Sequence, residues 1–530
     1  MDIIKKNIHM GRIRVQASNQ VSYEDDLNIP ENKPDVSTIL LHKGEVEIQE
    51  VKAANDAVYV KGRLLYEILY ETRESGCSLV ALEGSVPIEE KIVLQGALPT
   101  DQVEIDAQME DLTVGMINSR KLNIQAVINL LAQVEELYDE EIPTEVQGEE
   151  MVEYRIASVG DAMSETQNTM GIAQLCIRKK DIFRVKEECV LPSNYPNVYQ
   201  ILCYRLKPVD MEFRVFNDCL ELSGELQLCI VYEGEGEGHP IRAYETNVSF
   251  SGKQDCMGAR EGMIPDVICT LGQKEVVIKP DRDGEERCIG LEVCLEQDIR
   301  VYEEMNLDMI TDIYGVHKQV VASSHRGCLQ GLLGRVSGKM KLTDHVKLST
   351  GGGILQILCS DCETTLSSQT IGPEGVVLKG FLHLHVVYIT GNDERPYGSA
   401  SLQIPFVYTL EIQDIAEGDQ VRVHVQVEQL QISLMDGDEA DIKAVLSFQA
   451  MAFRKMELEI LDGIEIAEQD TKLLKELPGF AIYRVKAGDN LWSIGKKYHV
   501  SVDSLRRLNN LTSDLILPGQ KLLIMKEQRN

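Results

Sequence analysis

The sequence predicts a mostly β fold: three tandem β-sandwich-like repeat domains followed by a small β-α-α-β domain. Three observations predict it. Val60 to Tyr70 (VKGRLLYEILY) recurs at Leu222 to Tyr232 (LSGELQLCIVY) and at Leu378 to Tyr388 (LKGFLHLHVVY). Each copy sets a Gly two residues before a Leu and eight before a Tyr: Gly62, Leu64 and Tyr70, then Gly224, Leu226 and Tyr232, then Gly380, Leu382 and Tyr388. The copies lie 162 and 156 residues apart, which are domain lengths and not solenoid periods. Finally, apolar residues alternate along short runs such as Val103, Ile105, Ala107 and Val421, Val423, Val425, a period of 2 that marks strands.

The match extends outward from the copied strand. IPENKPDVSTIL from Ile29 falls on LPSNYPNVYQIL from Leu191 at the offset of 162, and Val103 to Leu112 falls on Val421 to Leu430 at 318. Turn residues at Glu74-Ser-Gly76, Gly234 to Gly238, Gly391-Asn-Asp393 and Asp436-Gly437 split the runs into hairpins. The copied strand places Gly62, Leu64, Tyr66, Ile68 and Tyr70 on one face and Arg63, Leu65, Glu67 and Leu69 on the other. Both faces are apolar towards the Tyr end, as in a central strand. The repeated Gly marks a bulge or a close backbone approach.

The expected boundaries are a first repeat at 1–145, a linker at 146–180, a second repeat at 181–315, a linker at 316–340, a third repeat at 341–455, a linker at 456–480 and the terminal domain at 481–527. A short helix is expected in the first linker and partial helix at TKLLKEL (471–477) in the last. The stretch His317 to Met340 carries apolar residues at mixed spacing and has no assigned type.

A chain of 530 residues that is 43% hydrophobic and 26% charged is globular and holds several domains. Its net charge of -32 argues against nucleic acid as a partner, because phosphate binding needs a basic face. Residues 482–526 nevertheless carry eight Lys or Arg against three Asp, so a basic module hangs on an acidic body. Charges interrupt every apolar run of MDIIKKNIHMGRIRVQ, and no run reaches the length of a membrane span. The chain is therefore expected to stay in the cytosol. Thirteen scattered cysteines fit buried thiols in a reducing compartment.

Catalytic patterns are missing from the sequence. There is no GxxxxGK[ST], HExxH, GxSxG or strand-helix GxGxxG. The CxxC of Cys359 and Cys362 lacks a second ligand pair, and a tetrahedral zinc site needs four ligands. His383 and His385 share one strand face without an identifiable third ligand, and Gly351-Gly-Gly353 reads as a loop. No catalytic residues, metal or cofactor are assigned.

Residues 482–526 differ in kind. Tyr483 to Val485 forms a strand, Gly488-Asp489 a turn, and Asp489 is placed to cap a helix from Asn490 to Tyr498. A second helix runs from Val502 to Leu508, opened by Ser501 or Asp503, and Pro518-Gly519 turns into a last strand, Lys521 to Met525. With GDNLWSIGKKYHVSVDSLRRLNNL and ILPGQKLLI, the module closely resembles a LysM domain. That resemblance implies a groove for N-acetylglucosamine polymers between the loop after the first strand and the loop before the last. Here the groove would use Gly488, Asp489, Asn490, Leu491, Leu515, Ile516, Leu517, Pro518 and Gly519. Asn490 stands where Thr or Ser is usual, and Gly495 where Ala is usual. Trp492, the sole Trp, serves equally as a packing residue or a sugar platform.

Three tandem β domains ending in one LysM domain resemble the SipL-type spore coat morphogenetic proteins, whose repeats are called SPOCS domains. The resemblance implies a non-catalytic scaffold in the mother-cell cytosol, gathered at the forespore surface. It also implies a partner, the SpoIVA-type ATPase that polymerises as the basement layer of the coat, contacted through the LysM domain; other coat proteins and a glycan are further candidate partners. The rival reading is a cell-wall protein that holds peptidoglycan through the LysM domain.

Overall fold

A computed structural model describes residues 2–73, 79–148, 152–159, 171–236, 238–348, 353–392, 394–435, 438–467 and 479–525. The first copy comprises β1 (Asp2–Asn28), β2 (Thr38–Ala54), β3 (Ala57–Glu71), β4 (Leu79–Val93), β5 (Val103–Asn118) and β6 (Lys121–Gln147), and β7 (Val152–Ser158) follows it. The second comprises β8 (Ile172–Val190), β9 (Val198–Phe216), β10 (Cys219–Gly234), β11 (Ile241–Asp255), β12 (Ile264–Pro280) and β13 (Glu286–Met305), with β14 (Asp308–Gly315) after it. The third comprises β15 (Gln319–Lys347), β16 (Ile354–Gly372), β17 (Gly375–Thr390), β18 (Tyr397–Glu411), β19 (Gln420–Leu434) and β20 (Glu439–Ala467). The terminal module is β21 (Phe480–Arg484), α1 (Leu491–Tyr498), α2 (Val502–Asn509) and β22 (Lys521–Met525).

Every copy stacks two antiparallel layers of three strands. The first, sixth and fifth strands make one (β1-β6-β5, β8-β13-β12, β15-β20-β19), and the second, third and fourth make the other (β2-β3-β4, β9-β10-β11, β16-β17-β18). The first kind of layer in the second and third copies is joined through β8 and β15, at Ile172 and Gly331, into one six-stranded sheet, β12-β13-β8-β15-β20-β19. A hydrophobic core fills each sandwich, with Leu64, Ile68 and Tyr70 against Ile124 and Ile128 in the first copy. The copied strand is the middle strand of its layer each time. Its buried face is the one expected, and its Tyr ends on a backbone carbonyl: Tyr70 Oη donates to Pro34 O at 2.9 Å, Tyr232 to Pro196 O at 3.1 Å and Tyr388 to Leu348 O at 3.1 Å. A buried phenol needs such an acceptor. The repeated Gly sits beside a register shift in the pairing with the preceding strand. A Cβ there would meet Glu47 O at 2.4 Å at Gly62 or Thr365 O at 2.2 Å at Gly380, so the bulge requires Gly.

The three copies close on one another. β2 touches β18, β16 touches β11 and β9 touches β4, so each copy offers its second strand to the fourth strand of a neighbour, all the way round. Such a head-to-tail contact that returns to its start is a closed ring. At its centre lies one apolar cluster drawn from equivalent positions of all copies: Leu40, Leu202 and Leu358, with Leu69, Val231 and Val387. This is why the copied strand is apolar on both faces at its Tyr end. One face fills the sandwich and the other fills the ring.

Charge at the centre is balanced by a break in the repeat. Lys43, Arg205 and Asp361 occupy one equivalent position. Lys43 Nζ donates to Tyr204 O at 3.3 Å, and Arg205 makes the matching bond to Ser360 O across the next junction. A third cation would leave three like charges in a half-buried site. Instead Asp361 takes Lys207 at 3.0 Å and Lys43 at 3.8 Å. Burial alone would raise its carboxyl, yet Lys207 and Lys43 bring it down to about 2.

The stretches expected as linkers are largely strand where the structure describes them. β6 and β20 run beyond their sandwiches, β15 takes up 319–347, and β7 and β8 take up 152–158 and 172–180. Much of the first linker, 149–151 and 160–170, where a short helix is expected, lies outside the described residues, as does TKLLKEL. The long ends pair as ribbons, Asp2 to Ile13 with Glu135 to Gln147, β7 with β14, and Gln319 to Leu332 with Phe453 to Ala467. They meet in a second shared core that includes Ile8, Ile142, Met309, Leu329 and Ile460. Register shifts at Ser323/Ser324 and Leu332/Gly334 swap the buried face along β15, which produces the mixed spacing of His317 to Met340.

Candidate functional site

The terminal module is a β-α-α-β fold with its own core of Val485, Leu491, Ile494, Val500, Leu505, Leu522 and Ile524. Arg484 pairs with Lys521 at one end of the β21-β22 ribbon, so the loop after β21 and the loop before β22 leave from the same edge. They are joined there by Gly519 N donating to Val485 O at 2.8 Å. Gly488 (φ 89°) and Gly519 (φ 89°) adopt left-handed backbone, the conformation that each turn requires and Gly supplies.

The candidate groove residues fall on these two loops, except Leu491, which opens α1. Asp489 does not cap the helix as expected. Its carboxylate accepts Lys486 N and Tyr483 Oη, both at 2.7 Å, and these bonds hold its pKa below the usual Asp value. Asn490 is the N-cap: its Oδ1 accepts Ser493 N at 2.7 Å and its own N donates to Ser493 Oγ at 3.1 Å. Asn thus performs at this position the capping that Ser or Thr would perform. Ser501 caps α2, with Asp503 in its first turn. Leu491 is buried, and Ile516 is partly buried against the module's core. Leu515 and Leu517 are 85% and 72% exposed. Two bare leucines on one loop are an apolar contact surface.

Through α1 and the residues after it the module is fastened to β14, the strand that follows the second copy. Trp492 Nε1 donates to Asp312 Oδ2 at 2.9 Å and Lys496 Nζ to Asp312 Oδ1 at 2.6 Å. Tyr314 Oη donates to Val500 O at 2.9 Å, and its ring meets that of Trp492 edge-on with centroids 4.9 Å apart. His499 Nδ1 bonds to Gly315 O at 2.9 Å. Trp492 is therefore a docking residue here, committed to β14. Gly495 belongs to the same contact, because a Cβ would stand 2.5 Å from Tyr314 Oη. Burial would raise Asp312, but Lys496 and Trp492 hold it below the usual range. Sequence reasoning could not find Asp312, Tyr314 or His499, since their partners lie about 180 positions away; the Gly at 495 was the one visible sign.

The cysteine and histidine candidates are structural. Cys359 lies in the central cluster, where its bond with Cys203 and its burial raise its pKa well above the usual thiol value; Cys362 lies in the third sandwich core. Such thiols are held protonated and unreactive. His383 meets Thr365 Oγ1 at 2.8 Å, and His385 Nε2 reaches Leu40 O of the first copy at 2.7 Å.

Comparisons with known proteins agree with this geometry. The model of the SipL SPOCS domain matches residues 35–117, 197–279 and 353–435, and that of the LysM domain matches 483–524. The SPOCS matches begin at β2, β9 and β16 or just before them, in the 162 and 318 register of the repeats. Both are binding domains. In the LysM region the chain is 57% identical over 42 residues to the N-acetylmuramoyl-L-alanine amidase sle1 of Staphylococcus saprophyticus, covering 8% of this chain and 13% of that protein. It is 52% identical over 40 residues to the probable peptidoglycan endopeptidase LytE of Bacillus subtilis, covering 8% and 12%. It is 55% identical over 40 residues to the probable endopeptidase p60 of Listeria welshimeri, covering 8% of each. The chain thus spans about an eighth or less of these relatives. No solved structure matches. Among the described residues, no helix is long and apolar enough to cross a membrane. Three SPOCS domains in one register and a C-terminal LysM domain make the chain a member of the SipL-type family of sporulation proteins.

Proposed function

We propose that the protein is a non-catalytic scaffold of spore coat assembly, acting in the mother-cell cytosol at the forespore surface. Its LysM loops bind the polymerising SpoIVA-type ATPase of the coat basement layer, and the SPOCS ring holds those loops at a fixed place. The observation that carries the reading is the division of labour on the LysM domain. The first helix and the residues after it are fastened to β14 through Asp312 and Tyr314, while Leu515 and Leu517 in the loop before β22 stay bare. An apolar, exposed loop on a rigid support suits a protein surface better than a soluble glycan.

Glycan binding is the second reading, favoured by the likeness to LysM segments of proteins named as peptidoglycan hydrolases. One pull-down separates the two. Full-length protein is offered to the purified coat ATPase and to purified peptidoglycan, beside a Leu515→Asp/Leu517→Asp variant. The scaffold reading expects retention on the ATPase that the variant loses. Retention on peptidoglycan alone would overturn it.

A further inference from the structure

Each copy carries a row of three side chains across its second, third and fourth strands, and each row faces the next copy round the ring. The rows are Lys43, Glu67 and Glu83; Arg205, Cys229 and Glu245; and Asp361, His385 and Ser401, paired side by side in register. Two rows complete themselves. In the second copy Arg205 reaches over the small Cys229 to Glu245 at 2.9 Å and bonds to Ser360 O beyond. In the third, His385 meets Ser401 Oγ at 2.8 Å on one side and Leu40 O at 2.7 Å on the other.

The first row does not. Lys43 turns away to Tyr204 O and Asp361. Among the described residues, Glu67 and Glu83 have no hydrogen-bond or ion-pair partner, and Lys43 and Lys274 act on Glu67 only through space. Where side chains of the other two rows bridge their junctions, this junction holds a cavity of about 190 Å³, lined by Glu67, Leu69, Glu83, Leu202, Tyr204 and Val276 among others. Glu83 lies exposed at its mouth. Leaving a half-buried carboxylate without a partner is costly, and burial raises the pKa of Glu67 accordingly.

We infer that this cavity between the first and second copies is a binding site for a guanidinium or ammonium group carried on a short apolar stem. The internal comparison gives the chemistry: at the equivalent position Glu245 holds a guanidinium, that of Arg205, in the place left open beside Glu83. The stem would lie along Leu69, Leu202 and Val276, and the charge would sit between the two carboxylates. The same group can arrive as a free small cation or as an arginine side chain of a partner.

Titration calorimetry on the full-length protein tests this, with n-butylguanidinium as probe, the isosteric neutral n-butylurea as control, and a capped Gly-Arg-Gly peptide as the side-chain source. The expected result is saturable binding of butylguanidinium and none of butylurea. Glu67→Gln/Glu83→Gln should weaken it by about tenfold or more, the effect of losing charge-assisted hydrogen bonds. Lys43→Arg gives the first row the residue that completes the second and should abolish binding without lowering the unfolding temperature. Binding of the peptide as well identifies a partner's arginine, and binding of butylguanidinium alone identifies a free cation. Equal binding of butylurea, no binding of butylguanidinium, or binding indifferent to both variants would overturn the inference.

Discussion

Replacing Asp361 with Asn would leave Lys43, Arg205 and Lys207 converging on a neutral group at the centre of the ring. Removing one partner of a half-buried charge cluster costs about 3 kcal/mol or more, and urea unfolding of the Asp361→Asn variant should show a loss of that order. The pH dependence has a definite sign. The folded carboxyl is held down at about 2, below the 3.8 of an unfolded Asp, so its stabilisation is complete above the unfolded value and is lost as pH falls from there towards 2. His42 and His385 act higher on the scale. Their rings lie 5.7 Å apart, and burial lowers both pKa values below the 6.5 of free histidine. Their contribution is complete above 6.5 and falls as pH drops below it, because the unfolded chain takes up protons that the fold refuses. A melting-temperature series between roughly pH 7.5 and 5 should therefore decline on the acid side, and His385→Gln should flatten the decline.

The docking of α1 on β14 explains the two departures of the LysM sequence from its usual pattern. Asn490 preserves the cap, whereas Gly495 makes room for Tyr314. Gly495→Ala should push the LysM domain off the body, since the new Cβ would stand 2.5 Å from Tyr314 Oη and 2.8 Å from Val500 O, the carbonyl that Tyr314 holds. Asp312→Ala should do the same by removing the acceptor of Trp492 and Lys496, at a cost of about 1.5–3 kcal/mol for bonds to a charged group. The sole Trp reports both: its emission should move to longer wavelength as Nε1 and the ring become solvated, while the circular dichroism of the sheets is unchanged. Elements that bury one face in their own sandwich were legible in the sequence, because alternation survives along β3, β10 and β17. The ribbon strands were not. β15 and β20 change their buried face at bulges and meet a different neighbour at each level, which erases the period that identifies a strand. The helix cap moved by one residue for a local reason: Asp489 is already committed to Lys486 N and Tyr483.

Over the whole molecule, the repeats recorded in the sequence gave the number of copies and the sandwich, but not how the copies meet. Closure depends on Leu40, Leu202 and Leu358 coming together, and residues this far apart leave no periodic trace. A breach of the repeat did leave one, since Lys43, Arg205 and Asp361 align, and only their charges show that the position is shared. Zero-length carbodiimide cross-linking read by mass spectrometry tests the closed ring most directly. Lys274–Glu45 at 2.8 Å joins the second copy to the first, Lys207–Asp361 at 3.0 Å joins the second to the third, and Lys43–Asp361 at 3.8 Å joins the first to the third. All these side chains are partly exposed, between 18% and 50%, and Lys207 controls for access of the reagent to Asp361. A closed ring gives all three intramolecular cross-links in the monomer. An open row of domains would give the first two and never Lys43 to Asp361.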